Sequence, residues 1–364
     1  MAQPQHPMIG NILSLAEPGL WEYSLQLSNT ALTAWLTGAR RDFKRVVFVG
    51  HGSSLYNGQV GKYVIEHIAH LPAEAVPAFA FGAYVEKELL GPSTLVVGIS
   101  ATGATPSVLA ALARAREAGS PTIVVTAQAG SVATEGAQAV LLTGGEGDTI
   151  SVKTSSYVLA LVPLYMLALA LSDADDSARA YWEAQVREAG AGAARFLNGQ
   201  RAQVQALART FESATRVFVV GSGSNIGTAG EGALKVIEMA KMYAESQELE
   251  EFFHGRLREV DQVNPMFFLA PGGRSSARAL DYLTVMNNIE SPSVVLTDAV
   301  TRGIEELAAH VLKMPAALDE YATPLLYAIP LHLFGYELAL LRGVDPTAKR
   351  YEIEMQNVRY GDKL

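Results

Sequence analysis

The chain has 364 residues, 49% of them hydrophobic, more than one ordinary core needs, and this points to two domains of average size. A formal net charge of −9 with no long basic run excludes nucleic acid as the natural partner, because binding a phosphate backbone draws on clustered Lys and Arg. With no cysteine, disulfides, thiolate metal sites and cysteine nucleophiles are excluded, and the cytoplasm is the expected compartment.

The first twenty residues lack the basic start and apolar stretch of an export signal, so no export is expected. Helical spacing over Ile12 to Thr37, with Trp21 and Trp35, predicts an N-terminal helical arm over 1–40 whose partner could be a second subunit. A first α/β domain is read over 41–172. Its strands are predicted at Arg45 to Gly50, Thr94 to Ser100 and Thr122 to Thr126, separated by Ala/Leu-rich segments of helical period, the mark of a parallel sheet with crossover helices. In such sheets the ligand sits beyond the carboxyl ends of the strands. After the first strand, Gly52, Ser53 and Ser54 offer backbone N–H groups and hydroxyls to an anion at a helix start. After the second, Ser100, Thr102 and Thr105 do the same, with Pro106 placed where a first helical turn tolerates it. Taken singly, either loop reads equally as an ordinary glycine turn with a capping hydroxyl; two in one domain point to phosphate.

The third glycine of a dinucleotide fingerprint and the lysine of a Walker loop are both missing, so neither NAD nor ATP is expected, nor any other cofactor. His67 and His70 share a predicted helix but lack a surrounding carboxylate set, so they read as a solvated face and no metal is expected. Lys153 is available to a carboxylate or phosphate of a substrate, or to Asp148. The apolar run from Tyr157 to Leu171 contains Pro163 and falls short of the roughly 20 residues that cross a bilayer, so it reads as a buried helix and no membrane association is expected.

Residues 173–214, rich in Ala, Arg and Glu, are expected to form connecting helices, and a second α/β domain follows over 215–345. Its strands are predicted at Arg216 to Gly221, Met266 to Ala270 and Ser293 to Thr297. Gly50, Gly52 and Ser53 recur 171 residues on as Gly221, Gly223 and Ser224, and Ile123 to Thr126 recur at the same offset as Val294 to Thr297. Both halves close with an apolar helix holding a central proline, Pro163 and Pro330, so the chain is read as a tandem duplication. The loop from Pro271 to Ser276 has lost the hydroxyl pattern of its counterpart, which assigns phosphate to the first domain and other chemistry to the second.

Together, Gly50 to Ser54, Ser100 with Thr102 and Thr105, Glu231 with Lys235 and Glu238, and the run Glu251 to Gly255 resemble the tandem sugar-isomerase (SIS) family, along nearly the whole chain. That family includes the isomerase half of glucosamine-6-phosphate synthase, amino-sugar-phosphate deaminases and fructosamine-6-phosphate deglycases. The resemblance implies two flavodoxin-like three-layer sandwiches acting on a phosphorylated ketose or amino sugar without metal or nucleotide. It implies that Ser53, Ser100, Thr102 and Thr105 hold the sugar phosphate, that Glu238 moves a proton between C1 and C2 of the ring-opened substrate, and that His254 assists ring opening. Lys235, one turn before Glu238, is implied to hold the glutamate and substrate; outside these motifs the same pair would read as a surface salt bridge. A homodimer is implied, with His254 reaching into the neighbouring subunit's site.

The tail over 346–364 is expected near the active site, but it departs from the lysine-bearing end of the synthase and leaves Lys349 as the off-motif candidate there. The tail and the run Glu251 to Gly255 look closer to the deglycase-type members. With no cysteine glutaminase domain, the chain is expected to use free ammonia or to release an amine. The alternative from another class is a sugar-phosphate-binding regulator that has kept the pocket and lost the reaction.

Overall fold

The computed structural model describes residues 6–38, 42–145, 148, 150 and 152–350. Helices α1 (Met8–Leu13) and α2 (Pro18–Leu36) open the chain. Then come β1 (Arg45–Gly50), α3 (Ser53–Ile68), β2 (Ala73–Pro77), α4 (Ala78–Tyr84), β3 (Thr94–Ile99), α5 (Pro106–Glu117), β4 (Thr122–Thr126), β5 (Ala139–Leu142), α6 (Ser155–Leu171) and α7 (Asp176–Gly199). The second half runs α8 (Arg201–Thr210), β6 (Arg216–Gly221), α9 (Asn225–Ala240), β7 (Tyr243–Glu248), α10 (Leu249–Phe253), β8 (Met266–Leu269), α11 (Ser276–Asn288), β9 (Ser293–Thr297), α12 (Arg302–Leu307), β10 (His310–Lys313) and α13 (Pro324–Leu341).

These elements fall into two units. The amino-terminal unit is built on Gly19–Thr149 and Ser155–Ala184; the carboxy-terminal unit takes the stretch ending at Pro18, the short piece Ile150–Thr154, and Gln185–Ala348. Each holds a five-stranded sheet whose paired strands are all parallel, ordered β2-β1-β3-β4-β5 in one and β7-β6-β8-β9-β10 in the other. The two orders are the same once the second set is renumbered, and they are the doubly wound flavodoxin-like order that the resemblance implies.

In the amino-terminal unit β1 is buried along all but its first residue, as a strand covered on both faces must be. Its odd and even residues serve different layers. Val47 and Val49 join Ala78, Phe81, Val108 and Leu112 of α4 and α5. Phe48 points the other way, beneath α3, where Gly58 and Gly61 leave room for it: a Cβ on Gly58 would come within 2.8 Å of the Phe48 Cβ, and one on Gly61 within 2.9 Å of its ring. The carboxy-terminal unit repeats the scheme, with Phe218 and Val220 packed on Leu249, Phe252 and Leu283 of α10 and α11, while α13 lies along α9 on the opposite face.

The strand boundaries read from sequence at β1, β4, β6 and β9 are those observed, and β3 and β8 each end one residue earlier. The edge strands β2, β5, β7 and β10 were not foreseen. Edge strands are half exposed and often charged or short; β7, Tyr-Ala-Glu-Ser-Gln-Glu, has no Val or Ile at all, while β5, Ala-Val-Leu-Leu, is apolar but only four residues long. The closing helices α6 and α13 are buried almost throughout, as expected for the first. By length and composition alone α13 could cross a membrane, but 89% of it is buried inside the protein, which marks a core helix.

Candidate functional site

In the amino-terminal unit the chain winds outward in opposite directions from β1 and β3, which opens a crevice at their carboxyl ends. The two hydroxyl-bearing loops flank it. After β1 the chain turns within four residues into α3: Ser54 N donates to His51 O at 3.1 Å, and Gly52 takes the left-handed φ of 53° that the turn demands. Gly52 is the N-cap of α3 and supplies no side-chain cap, and Ser53 and Ser54 are half-buried in the first turn.

After β3, Ser100 is buried and its Oγ lies 2.9 Å from Thr105 Oγ1, while Gly103 N donates to the same Ser100 Oγ at 3.1 Å. Ala104 N donates to Thr102 Oγ1 at 3.4 Å, and Thr102 itself is exposed. Thr105 occupies the N-cap of α5 yet does not cap it; its hydroxyl turns to Ser100 instead. Hydroxyls and helix starts at the carboxyl ends of two adjacent strands are groups that suit an anion. The loop depends on Gly103, whose φ is +61° and whose Cβ, if present, would stand 1.9 Å from Ser131 Oγ. Gly103→Ala is expected to cost roughly 1–3 kcal/mol from strain and overpacking together. Urea denaturation would read this as a lower midpoint; an unchanged midpoint would mean that Ser131 and the loop yield freely.

The carboxy-terminal unit keeps the first of these turns and has changed the second. Asn225 N donates to Ser222 O at 3.1 Å, Gly223 has φ of 57°, and a Cβ on Gly221 would approach Asn225 O to 2.7 Å, each feature 171 residues beyond its counterpart. The loop after β8, however, already holds an anion. The carboxylate of Glu320 accepts from Arg274 N at 2.8 Å, from Ser275 N at 3.2 Å and from Ser275 Oγ at 2.9 Å. A short turn over Glu320–Ala322 fixes it there, with Glu320 O accepting from Thr323 Oγ1 at 2.7 Å. Donors that a phosphate would need in this unit are spent on the chain's own side chain.

What this unit offers instead is a line of ionisable groups on one face of α9. Glu231, Lys235 and Glu238 stand at i, i+4 and i+7. Lys235 Nζ lies 3.4 Å from Glu231 Oε1 and donates to Glu238 Oε2. Glu231 and Lys235 are wholly buried, and only Glu238, with its side chain 34% exposed, reaches solvent. The pair is thus no surface salt bridge. Burial by itself lowers the Lys235 pKa, but attraction by Glu231 and Glu238 outweighs it and the net shift is upward, so the side chain stays an ammonium ion. Lys241, in the left-handed conformation at the end of α9, donates to Glu238 O and ties down the same residue.

From α13, His332 comes within 3.1 Å of Glu231 Oε1 through Nε2 and is wholly buried. Two glycines set the helix separation. A Cβ on Gly335 would lie 3.2 Å from the Lys235 carbonyl group, and one on Gly232 would lie 2.4 Å from Leu331 Cδ1. The contact of His332 with Glu231 was not legible beforehand, because its helix reads as almost wholly apolar; an imidazole in such a helix was the available signal.

Other sequence candidates make different contacts. His254, at the end of α10, has its side chain 68% exposed, with Nε2 3.3 Å from Glu250 Oε1, and makes no hydrogen bond to Lys235 or Glu238 of its own chain. Glu250 is also held by Arg278, whose hydrogen bonds bring its pKa down to about 2. Lys153 Nζ donates to Ile150 O at 3.0 Å, Asp148 accepts from Ser155 and Ser156 at the start of α6, and Lys349 is exposed. The tail from residue 351 onward lies outside the described residues. His67 is not the solvated group expected: it is half-buried, edge-on to Trp182 at 5.9 Å between ring centroids. Among the described residues no three His, Asp or Glu side chains are grouped to hold a metal ion.

The SIS domain profile matches residues 41–170 and 210–342. The glutamine–fructose-6-phosphate aminotransferase (isomerizing) of Corynebacterium diphtheriae is 28% identical over 319 residues, covering 84% of this chain and 50% of its own; that of Pseudomonas putida is 30% identical over 309 residues, covering 83% and 50%. The chain spans about half the length of these curated relatives. Among solved structures, the C-terminal domain of glucosamine-fructose-6-phosphate aminotransferase from Francisella tularensis superposes with a TM-score of 0.84 at 20% identity, covering 95% of this chain and 99% of that one. Tagatose-6-phosphate ketose/aldose isomerase from Escherichia coli gives 0.77 at 17% identity, with 95% and 97% covered. At these identities the likeness establishes the fold.

Proposed function

The chain belongs to the SIS domain family, and from that premise we propose that it is a sugar-phosphate isomerase, deaminase or deglycase acting on a ring-opened hexose or hexosamine 6-phosphate. In this reading the phosphate is held by Ser53, Ser100, Thr102 and Thr105, with Gly52 and Ser54 shaping the first turn. Glu238 takes a proton from one of C1 and C2 and returns it to the other, through an enediol or enamine. The observation that carries the reading is the arrangement on α9: three ionisable groups in a row, two of them dry, with Glu238 alone presented to solvent beside a fixed ammonium ion. One carboxylate at that position is what the proton transfer needs.

His254 is assigned ring opening, and its exposure supports donation to a second subunit of a cytoplasmic homodimer. Lys153 and Lys349 are the cations available to the substituent at C2. Within this reading a deaminase or deglycase is the favoured variant, on the likeness of the run Glu251 to Gly255 to deglycase-type members.

Hydrogen exchange tests the proposal whichever of these reactions the protein performs. In D2O, fructose 6-phosphate, glucosamine 6-phosphate and fructosamine 6-phosphate are each incubated with the protein and followed by proton NMR. Deuterium appearing at C1 or C2 of one of them is the expected result. Tight binding of all three with no exchange would replace the enzyme by the sugar-phosphate-binding regulator. In the same assay Ser100→Ala and Thr105→Val are each expected to raise KM about tenfold or more, since a hydrogen bond to a charged group is worth roughly 1.5–3 kcal/mol, with kcat little changed. An unaltered KM in both variants would remove the loop from phosphate binding.

A further inference from the structure

Resting on the reading of Glu238 as the proton carrier, we propose that His332 is a positioning residue that sets the basicity of Glu238 through Glu231 and Lys235. It sits between Leu331 and Leu333 in the middle of α13, fully removed from water. An imidazole in such a helix is retained where it serves a partner, and here the partner is Glu231. An ionised carboxylate only accepts, so the nitrogen at 3.1 Å, Nε2, carries the hydrogen. The same oxygen, Glu231 Oε1, stands 3.4 Å from Lys235 Nζ. One atom therefore joins the imidazole to the ammonium ion, and the ammonium ion is joined to Glu238.

The chain of contacts has a direction. With His332 in place, Glu231 is stabilised as an anion in dry surroundings and shares the Lys235 charge with Glu238. Without that donor, a buried carboxylate is easier to protonate. Once Glu231 is neutral, the Lys235 charge falls undivided on Glu238, favours its ionised form and makes it a weaker base. The spacing that allows this is fixed by backbone approach at Gly335 and by the fit of Leu331 against Gly232, so α13 cannot slide to offer another group. The one carboxylate on α13, Glu337, is held separately by Arg201 at 3.2 Å and by Gln205 at 3.1 Å of α8. On β7, which packs against α9, Glu245 pairs with Arg256 and Glu248 accepts from Ser222.

The test uses hydrogen exchange with whichever of fructose 6-phosphate, glucosamine 6-phosphate and fructosamine 6-phosphate the wild-type protein exchanges, measured as kcat and KM. His332→Phe and His332→Asn are expected to lower kcat roughly tenfold to hundredfold, with KM within about twofold, because neither supplies a donor at the Nε2 position. His332→Gln, whose longer amide reaches that position, should restore most of the rate, and it keeps the test open if the Phe variant fails to fold. If His332 acts through Glu231, the double variant with Glu231→Gln loses no more than Glu231→Gln alone. Unchanged kcat in His332→Asn, or losses that multiply in the double variant, would overturn the assignment. Glu238→Gln run alongside separates the two levels: if it turns over normally, or if none of the three sugar phosphates exchanges with the wild-type protein, the base reading falls and this one with it. If Glu238→Gln is inactive while the His332 variants are unaffected, only the His332 inference falls.

Discussion

Glu238→Gln is expected to slow exchange of substrate hydrogen with solvent by roughly 10²–10⁴-fold, the range that a positioned general base contributes. The amide keeps the size of the carboxylate and can still accept from Lys235 through its oxygen, so folding and phosphate binding should survive. The effect then falls on kcat, with substrate affinity by calorimetry within about threefold of wild type. Its Lys235 partner would keep the Glu231 carboxylate at 3.4 Å. Exchange within a few-fold of the wild-type rate would take Glu238 out of the mechanism, whatever else the protein binds.

Lys235→Met addresses stability. Met fills a similar volume, but it strips the ammonium ion from between two carboxylates, one of them wholly buried. Removing one partner of a buried ion pair costs roughly 3–5 kcal/mol because the remaining charge cannot be rehydrated. In a unit of this size that corresponds to a fall in Tm of roughly 10 °C or more. The sign of the pH dependence follows from the upward shift at Lys235. A folded pKa above the unfolded one gives stability that is fully present below the ordinary lysine range and is lost as pH rises through the folded value. The wild-type protein should therefore hold this contribution across neutral pH and lose it only under strong alkali. The variant should recover part of its deficit on acidification, as the stranded carboxylates take up protons. A Tm within 2 °C of wild type at pH 7 would mean that the cluster is solvated or relaxes without penalty.

The parts of this molecule that could be read from sequence are those in which chemistry and chain geometry are local. Gly50 and Gly52, with Gly221 and Gly223 at the same offset, announce a strand turning at once into a helix, and both pairs make that turn with matching hydrogen bonds. Central strands were legible for a similar reason, since burial on both faces writes itself as an unbroken apolar run. The pairing of Lys235 with Glu238 follows from one helical turn. What escaped reading involves partners distant in the chain. Glu231 and His332 are 101 residues apart, and Glu320 lies 45 residues beyond Ser275. Neither spacing has a local signature, and each contact depends on how a loop or helix comes to rest against another. The exposure of His254 is a third case, because no feature of its neighbours distinguishes a side chain meant for its own chain from one offered elsewhere.

Glu320 makes one copy of the duplicated loop self-braced: its carboxylate takes up the donors after β8, so that loop keeps its shape by a charged contact within the chain. The corresponding loop after β3 is closed by hydroxyl on hydroxyl, Ser100 to Thr105, a contact between neutral groups that is more easily exchanged.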